Sequence, residues 1–194
     1  MFLSPGCNPG KTGPIGNAPR RGARRSNRGG QIKIDNNKKN ICNFTMAHSF
    51  AQVLVHIIFS TKNRIAFLQS LNLRSEVHAY LVGTLRALEC ESLRVGGIAD
   101  HVHILAALSR KTSLADLVKR LKTSSAKIVR DKGHNDFGWQ SGYGVFSVSE
   151  SAKEQVISYI ANQEIHHRSM SFQEEYRMFL ANHRVRFDER YVWE

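Results

Sequence analysis

The hydrophobic periodicity of the chain changes repeatedly after Met46, and the order of those changes restricts the fold more than any single motif. The run VLVHIIFST (53–61) is β-branched and apolar, the pattern of a buried strand. Residues 70–90 then place Leu73, Val77, Tyr80, Leu81, Leu85 and Leu88 at helical spacing. A strand is expected from Ser92 to Ile98, ending near Gly96-Gly97, with Ala99-Asp100 as the tight link into a further strand, HVHILAAL (101–108). Thr112 to Arg130 reads as a helix. Ser113 with Asp116 has the form of a capping box, and Leu114, Leu117, Val118, Leu121 and Ile128 make one apolar face. GYGVFSVS (142–149) is a strand, Ser151 with Glu154 is expected to cap a helix over 151–167, and Ser171 with Glu174 opens a last short helix. The order β-α-β-β-α-β-α predicts an α+β chain of the ferredoxin-like split βαβ type with an additional C-terminal helix. Such a chain forms a four-stranded antiparallel sheet with two helices on one face. The other face is left for a ligand, the last helix or a second subunit.

Residues 1–45 read differently. They are rich in Gly, Asn, Pro and Arg and have no periodic apolar pattern, which predicts a disordered basic tail. RRGARRSNRGG suits a nucleic-acid arm; the alternative, which the abrupt start of regular pattern at Met46 favours, is an extension ahead of the true start. The chain divides accordingly into 1–45 and a folded domain over 46–194. The formal charge of +12 favours a polyanionic partner. Most of the excess lies in the tail, which carries nine Lys/Arg against one acid, while residues 46–194 carry 19 against 15. Cys7, Cys42 and Cys90 have no disulfide or zinc spacing, so a reducing, cytoplasmic location is expected. No apolar run approaches the roughly 20 residues needed to cross a membrane, and the N-terminus has no secretory pattern.

Three groups of residues could carry chemistry. His101 and His103 alternate with Val102 and Ile104, so on a strand both imidazoles leave the same face. The pair suits either metal ligation or two solvent-facing histidines on an open sheet. In VISYIANQEIHH (156–167), Tyr159 and Gln163 are four apart and share a helix face. Tyr159 is either a half-buried aromatic or a covalent nucleophile for a phosphodiester, which would require a nearby cation or metal. Gln163 offers a carbonyl oxygen to such a metal. Tyr80 and Tyr143 are rival tyrosines, and Tyr176 and Tyr191 weaker ones. Lys119, Arg120, Lys122, Lys127 and Arg130 form the basic face of helix 113–130, either a DNA-backbone contact or a solvated surface.

Taken in order, HIIFSTKNR, the His-hydrophobic-His strand, LVKRLKTSSAKIVR, WQSGYGVFSVS, the helix with Tyr and Gln four apart, and FDERYVWE resemble the single-tyrosine transposases of the HUH superfamily. That group includes the small insertion-sequence enzymes and the tyrosine transposases associated with repeated extragenic palindromes. The resemblance covers about 47–194. It implies that His101, His103 and Gln163 hold a divalent metal, Mg²⁺ or Mn²⁺, with the imidazoles better suited to Mn²⁺ by softness. It further implies that Tyr159 attacks single-stranded DNA carrying hairpins, through a 5′-phosphotyrosine link, within a homodimer associated with the bacterial nucleoid. Lys119, Arg120, Lys122 and Trp139 would contact the DNA. The competing readings are a non-catalytic nucleic-acid-binding module, a domesticated palindrome-processing enzyme, and a His-dependent RNA nuclease. An RNA-recognition sheet presents aromatics on its open face; here those positions on 101–108 are His101, His103 and Leu105, a better metal platform than a stacking one.

Overall fold

The computed structural model describes residues 50–193. Both the basic tail and its boundary near Met46 lie outside that range. The described chain folds as β1 (Leu54–Ser60), α1 (Leu71–Ala87), β2 (Glu91–Gly97), β3 (His101–Ala107), α2 (Leu114–Asp131), β4 (Gly144–Val148), α3 (Lys153–Ala161), α4 (Gln163–His166) and α5 (Phe172–Asn182). The strands form one sheet in the order β2-β3-β1-β4, and every pairing is antiparallel. This is the expected α+β, ferredoxin-like arrangement.

The two faces of the sheet carry different chemistry because side chains alternate along each strand. Val55, Ile57 and Phe59 of β1 and Val102, Ile104 and Ala106 of β3 point into the main core. They meet Leu73, Val77, Leu81 and Leu85 of α1 and Leu117, Val118, Leu121 and Val129 of α2. Each fully buried aliphatic side chain there contributes about 1.5–3 kcal/mol. Both helices begin on serine caps: the Ser70 hydroxyl accepts from Leu73 N and that of Ser113 from Asp116 N.

The residues between them face the other way. His56, Ile58, His101 and His103 are all buried, and α3–α5 cover them. Ile58 joins Phe146 and, from α5, Phe172, Tyr176 and Leu180 in a second cluster. Of the alternatives left open for this face, the C-terminal helices take it. α5 starts on the full capping box expected of Ser171 and Glu174.

Two local expectations fail. The helix predicted over 151–167 is interrupted at Asn162 (φ −103°, ψ 20°), so α3 ends at Ala161 and Gln163 opens a separate single turn. The Asn162 side-chain amide bonds back to the Ser158 carbonyl at 2.8 Å, the local competition with helix hydrogen bonding that asparagine brings. The cap predicted from Ser151 and Glu154 is also absent: Ala152 occupies the N-cap of α3 without a side-chain bond, and Ser151 pairs instead with the Ser149 hydroxyl. Among the described residues, no helix is long and apolar enough to cross a membrane.

Candidate active site

His101 and His103 open β3 opposite Ser60 and Ile58 of β1. Gly97, at φ 140°, makes the turn that delivers them. A side chain there would stand 2.2 Å from the His101 carbonyl oxygen. Both rings are fully buried, and α4, the residue that caps its C-terminus and α5 bring three further groups onto them: Gln163, His167 and Glu175.

The second nitrogen of each ring has a defined partner. Nδ1 of His101 lies 2.8 Å from the Asp100 carboxylate. Nδ1 of His167 lies 2.8 Å from the Met170 carbonyl. Nδ1 of His103 lies 3.0 Å from Nε2 of His56. A carboxylate and a carbonyl only accept, so Nδ1 of His101 and of His167 donate, and in the neutral rings each Nε2 is a bare lone pair. Burial raises the Asp100 pKa, but its bond and charge interaction with His101 outweigh this and keep it below the ordinary value.

These lone pairs converge with other acceptors. The Gln163 amide nitrogen donates to Glu175 Oε1 at 3.2 Å, which turns its oxygen toward Nε2 of His101 (3.3 Å) and of His167 (3.0 Å). Glu175 Oε2 stands 3.4 Å from Nε2 of His103 and 3.4 Å from Nε2 of His167. One ligand atom each from His101, His103, His167 and Glu175 falls within 4.8 Å of all the others. Nε2 of His103 and Oε2 of Glu175 are buried and make no hydrogen bond of good geometry. Buried acceptors that face one another are costly unless a proton or a cation joins them. The donor set therefore fits a divalent metal.

Tyr159 enters from α3. Its hydroxyl donates to Glu175 Oε1, and its ring stands edge-on to His56 and His103. Burial first, and then the Glu175 charge, push the phenol well above its ordinary pKa. Burial alone would raise Glu175, but His103, His167 and Tyr159 hold it well below the carboxylate range. Burial lowers His103 to about 4, against the opposing pull of Glu175. His167 moves the other way: burial disfavours its charge, but Glu175, the Met170 carbonyl and Asp100 together raise its pKa.

Of the tyrosines weighed from sequence, Tyr159 stands at this cluster. Tyr80 lines a groove between α1 and α2, Tyr143 lies beside Lys122, and Tyr176 packs in the second hydrophobic cluster. Gln163 reaches the cluster, although on its own turn and not on the tyrosine helix. The sequence reading missed His167, Glu175 and His56. The doublet His166-His167 was a visible signal, and Glu175 was visible only as an acid on an otherwise half-apolar helix face.

The predicted DNA contacts divide. Lys119 and Arg120 are exposed on α2. The Lys122 ammonium donates to the carbonyls of Gln140 (2.9 Å), Ser141 (3.2 Å) and Gly142 (2.5 Å) and lies over the rings of Phe59 and Tyr143. Burial lowers its pKa to about 8. Trp139 packs edge-on against Phe59 and Phe137 and donates its indole N–H to the Ser125 hydroxyl, an arrangement that serves the core.

The site is a ferredoxin-like sheet with a buried His-x-His strand, a metal-type donor cluster and a tyrosine hydroxyl bonded to that cluster's carboxylate. The family model described as Transposase IS200 like matches residues 49–163, and the chain belongs to that family, the single-tyrosine HUH transposases. Among solved structures, a proposed transposase from Deinococcus radiodurans R1 is 24% identical over 59% of this chain and 93% of its own, with a TM-score of 0.49. A REP-associated tyrosine transposase bound to a REP hairpin is 12% identical over 62% of this chain and 72% of its own, with a TM-score of 0.48. No curated protein matches the chain.

Proposed function

We propose that this transposase cleaves and rejoins single-stranded DNA at hairpin-marked ends through a covalent link to Tyr159, assisted by a divalent metal at His101, His103 and Gln163. The observation that carries this reading is the convergence of the His101 and His103 ring nitrogens and the Tyr159 hydroxyl on one buried carboxylate-bearing cluster. The activity is assigned to residues 46–194, acting as a homodimer.

In the cleavage step, Tyr159 Oη forms a bond to phosphorus and the bond to the 3′ oxygen breaks. The 3′ oxygen leaves as a hydroxyl, and the phosphate stays on the 5′ side as phosphotyrosine. The phenolic proton is held toward Glu175 Oε1 before attack. A divalent cation, when bound, polarises the phosphate and offsets the effect of Glu175 on the phenol. Rejoining is the reverse attack by a 3′ hydroxyl with Tyr159 as the leaving group. The ester exchange conserves the phosphodiester, so no nucleotide cofactor is needed. Lys119 and Arg120 are assigned to the DNA backbone. Lys122 and Trp139 act on DNA through the 139–143 segment, in which Trp139 lies and whose carbonyls Lys122 holds.

The test uses single-stranded DNA from the ends of the protein's own locus with Mg²⁺ or Mn²⁺, and a denaturing gel. A covalent protein–DNA adduct that disappears with EDTA and in Tyr159→Phe supports the mechanism. An adduct that persists in Tyr159→Phe moves the nucleophile elsewhere, and tight DNA binding without any adduct makes the chain a binding module.

A further inference from the structure

We propose that the C-terminal helices complete the metal site: His167 and Glu175 ligate the same ion as His101, His103 and Gln163, giving a set of three imidazoles, one carboxylate and one amide oxygen that selects Mn²⁺ over Mg²⁺. The inference rests on the reading above that this cluster holds a metal. It adds two ligands from the segment following residue 163, where the family match ends.

The geometry comes first. Metal bonds of about 2.0–2.2 Å from imidazole nitrogen and carboxylate oxygen put neighbouring ligand atoms about 3–4 Å apart. Glu175 Oε2 is already 3.4 Å from Nε2 of both His103 and His167, and all four ligand atoms lie within 4.8 Å. A small contraction around an ion suffices.

Unmet valence is the second ground. His103 Nε2 and Glu175 Oε2 are the two atoms of this set that are buried and lack any hydrogen-bond partner. Each belongs to a group that is otherwise engaged. His103 uses Nδ1 on His56, and Glu175 uses Oε1 on Tyr159 and Gln163. What remains is His103 Nε2 and Glu175 Oε2 facing each other at 3.4 Å. Nε2 of His166 also lacks a partner, but it stands 3.5 Å from Oε1, on the tyrosine side of the carboxylate.

The third ground is the outer shell. Metal-binding imidazoles characteristically engage their second nitrogen with a carboxylate or carbonyl, which fixes the ring. His101 has Asp100 and His167 has the Met170 carbonyl, both at 2.8 Å. His167 is thus set up in the same manner as His101, which is the pattern of a ligand and not of a bystander.

The ion preference follows from the donors. Mg²⁺ demands oxygen ligands and keeps its waters, whereas imidazole nitrogen suits transition ions. Glu175 would then be shared, with one oxygen on the ion and the other on the Tyr159 hydroxyl, tying nucleophile position to metal occupancy.

The experiment is metal binding by the full chain, stripped with EDTA, without DNA. Calorimetry should show Mn²⁺ bound more than about tenfold tighter than Mg²⁺. Pulsed EPR of the Mn²⁺ protein should detect three coordinated imidazoles in wild type and two in His167→Ala. Glu175→Gln should lose at least about tenfold in Mn²⁺ affinity, and anomalous diffraction from Mn²⁺-soaked crystals should place the ion about 2.2 Å from Glu175 Oε2. Two imidazoles in wild type, or an ion remote from Glu175, overturns the completed site and leaves the His pair and the transposase reading standing. A wild-type protein that binds no Mn²⁺ overturns the metal reading itself. Should either variant misfold, the wild-type nitrogen count and ion position still decide.

Discussion

The hydroxyl of Tyr159 is donated to Oε1 of Glu175, sixteen residues further along the chain. The acceptor is a buried anion, so this bond contributes to the fold as well as to the site. Tyr159→Phe should lower unfolding free energy by about 1.5–3 kcal/mol in urea denaturation with EDTA present. An unchanged midpoint would mean that the two groups are apart in solution.

The placement of α3 depends on the bare backbone of Gly96. A Cβ at that position would stand 2.5 Å from the Ile160 carbonyl oxygen and 2.8 Å from its Cγ2. The first contact is with backbone, so α3 must shift. Gly96→Ala should cost about 1–3 kcal/mol of stability. It should also reduce adduct formation beyond what the stability loss explains, because Tyr159 adjoins Ile160. Full activity in a destabilised Gly96→Ala protein would separate α3 position from chemistry.

Lys122 and its neighbours on α2 should respond oppositely to substitution. Lys122→Met removes three bonds from the ammonium to the 140–142 carbonyls and should cost about 1–3 kcal/mol in thermal or urea unfolding. Lys119→Ala and Arg120→Ala should leave the midpoint unchanged. In a filter or fluorescence assay with single-stranded DNA, each should reduce the salt slope of binding by about 0.7. Exchanged phenotypes would reassign the DNA-facing side of α2.

Acid should weaken the fold through His78. Its Nε2 is buried without a partner, and burial, then Arg74 and Arg94, bring its pKa from 6.5 to about 4. Between those values the unfolded chain takes up a proton that the folded chain refuses, so stability declines as pH falls from 6.5 toward 4. Above 6.5 both states are neutral at this ring and the effect vanishes. Urea midpoints across this range should decline less steeply in His78→Gln. An identical slope would show that other histidines carry the acid sensitivity.

The sheet was readable in the chain because its signals are local. The alternation of His101, Val102, His103 and Ile104 already separates a chemical face from a core face, and the structure has Val102 and Ile104 among the α1/α2 core residues. Tyr159 and Gln163 were found by a spacing rule that the break at Asn162 removes, yet both still bond to Glu175. Their meeting is a tertiary fact that a helical wheel reproduced by coincidence of direction. Glu175 lies 72 residues from His103 and joins it only when α5 folds back on the sheet, so no spacing could announce it. The enclosure of Trp139 and Lys122 is not legible in the sequence, because charge and aromaticity say nothing of which neighbours will surround a side chain.

The pairing of β1 with β3 sets His103 opposite Ile58 while Ile57 and Ile104 face the main core. A slip of one residue would exchange imidazoles for aliphatic side chains across the whole strand. Core burial therefore selects the correct alignment of the His101 and His103 imidazoles during folding, before any ligand is encountered. Errors of alignment should be discarded as unstable chains and not persist as folded, inactive ones.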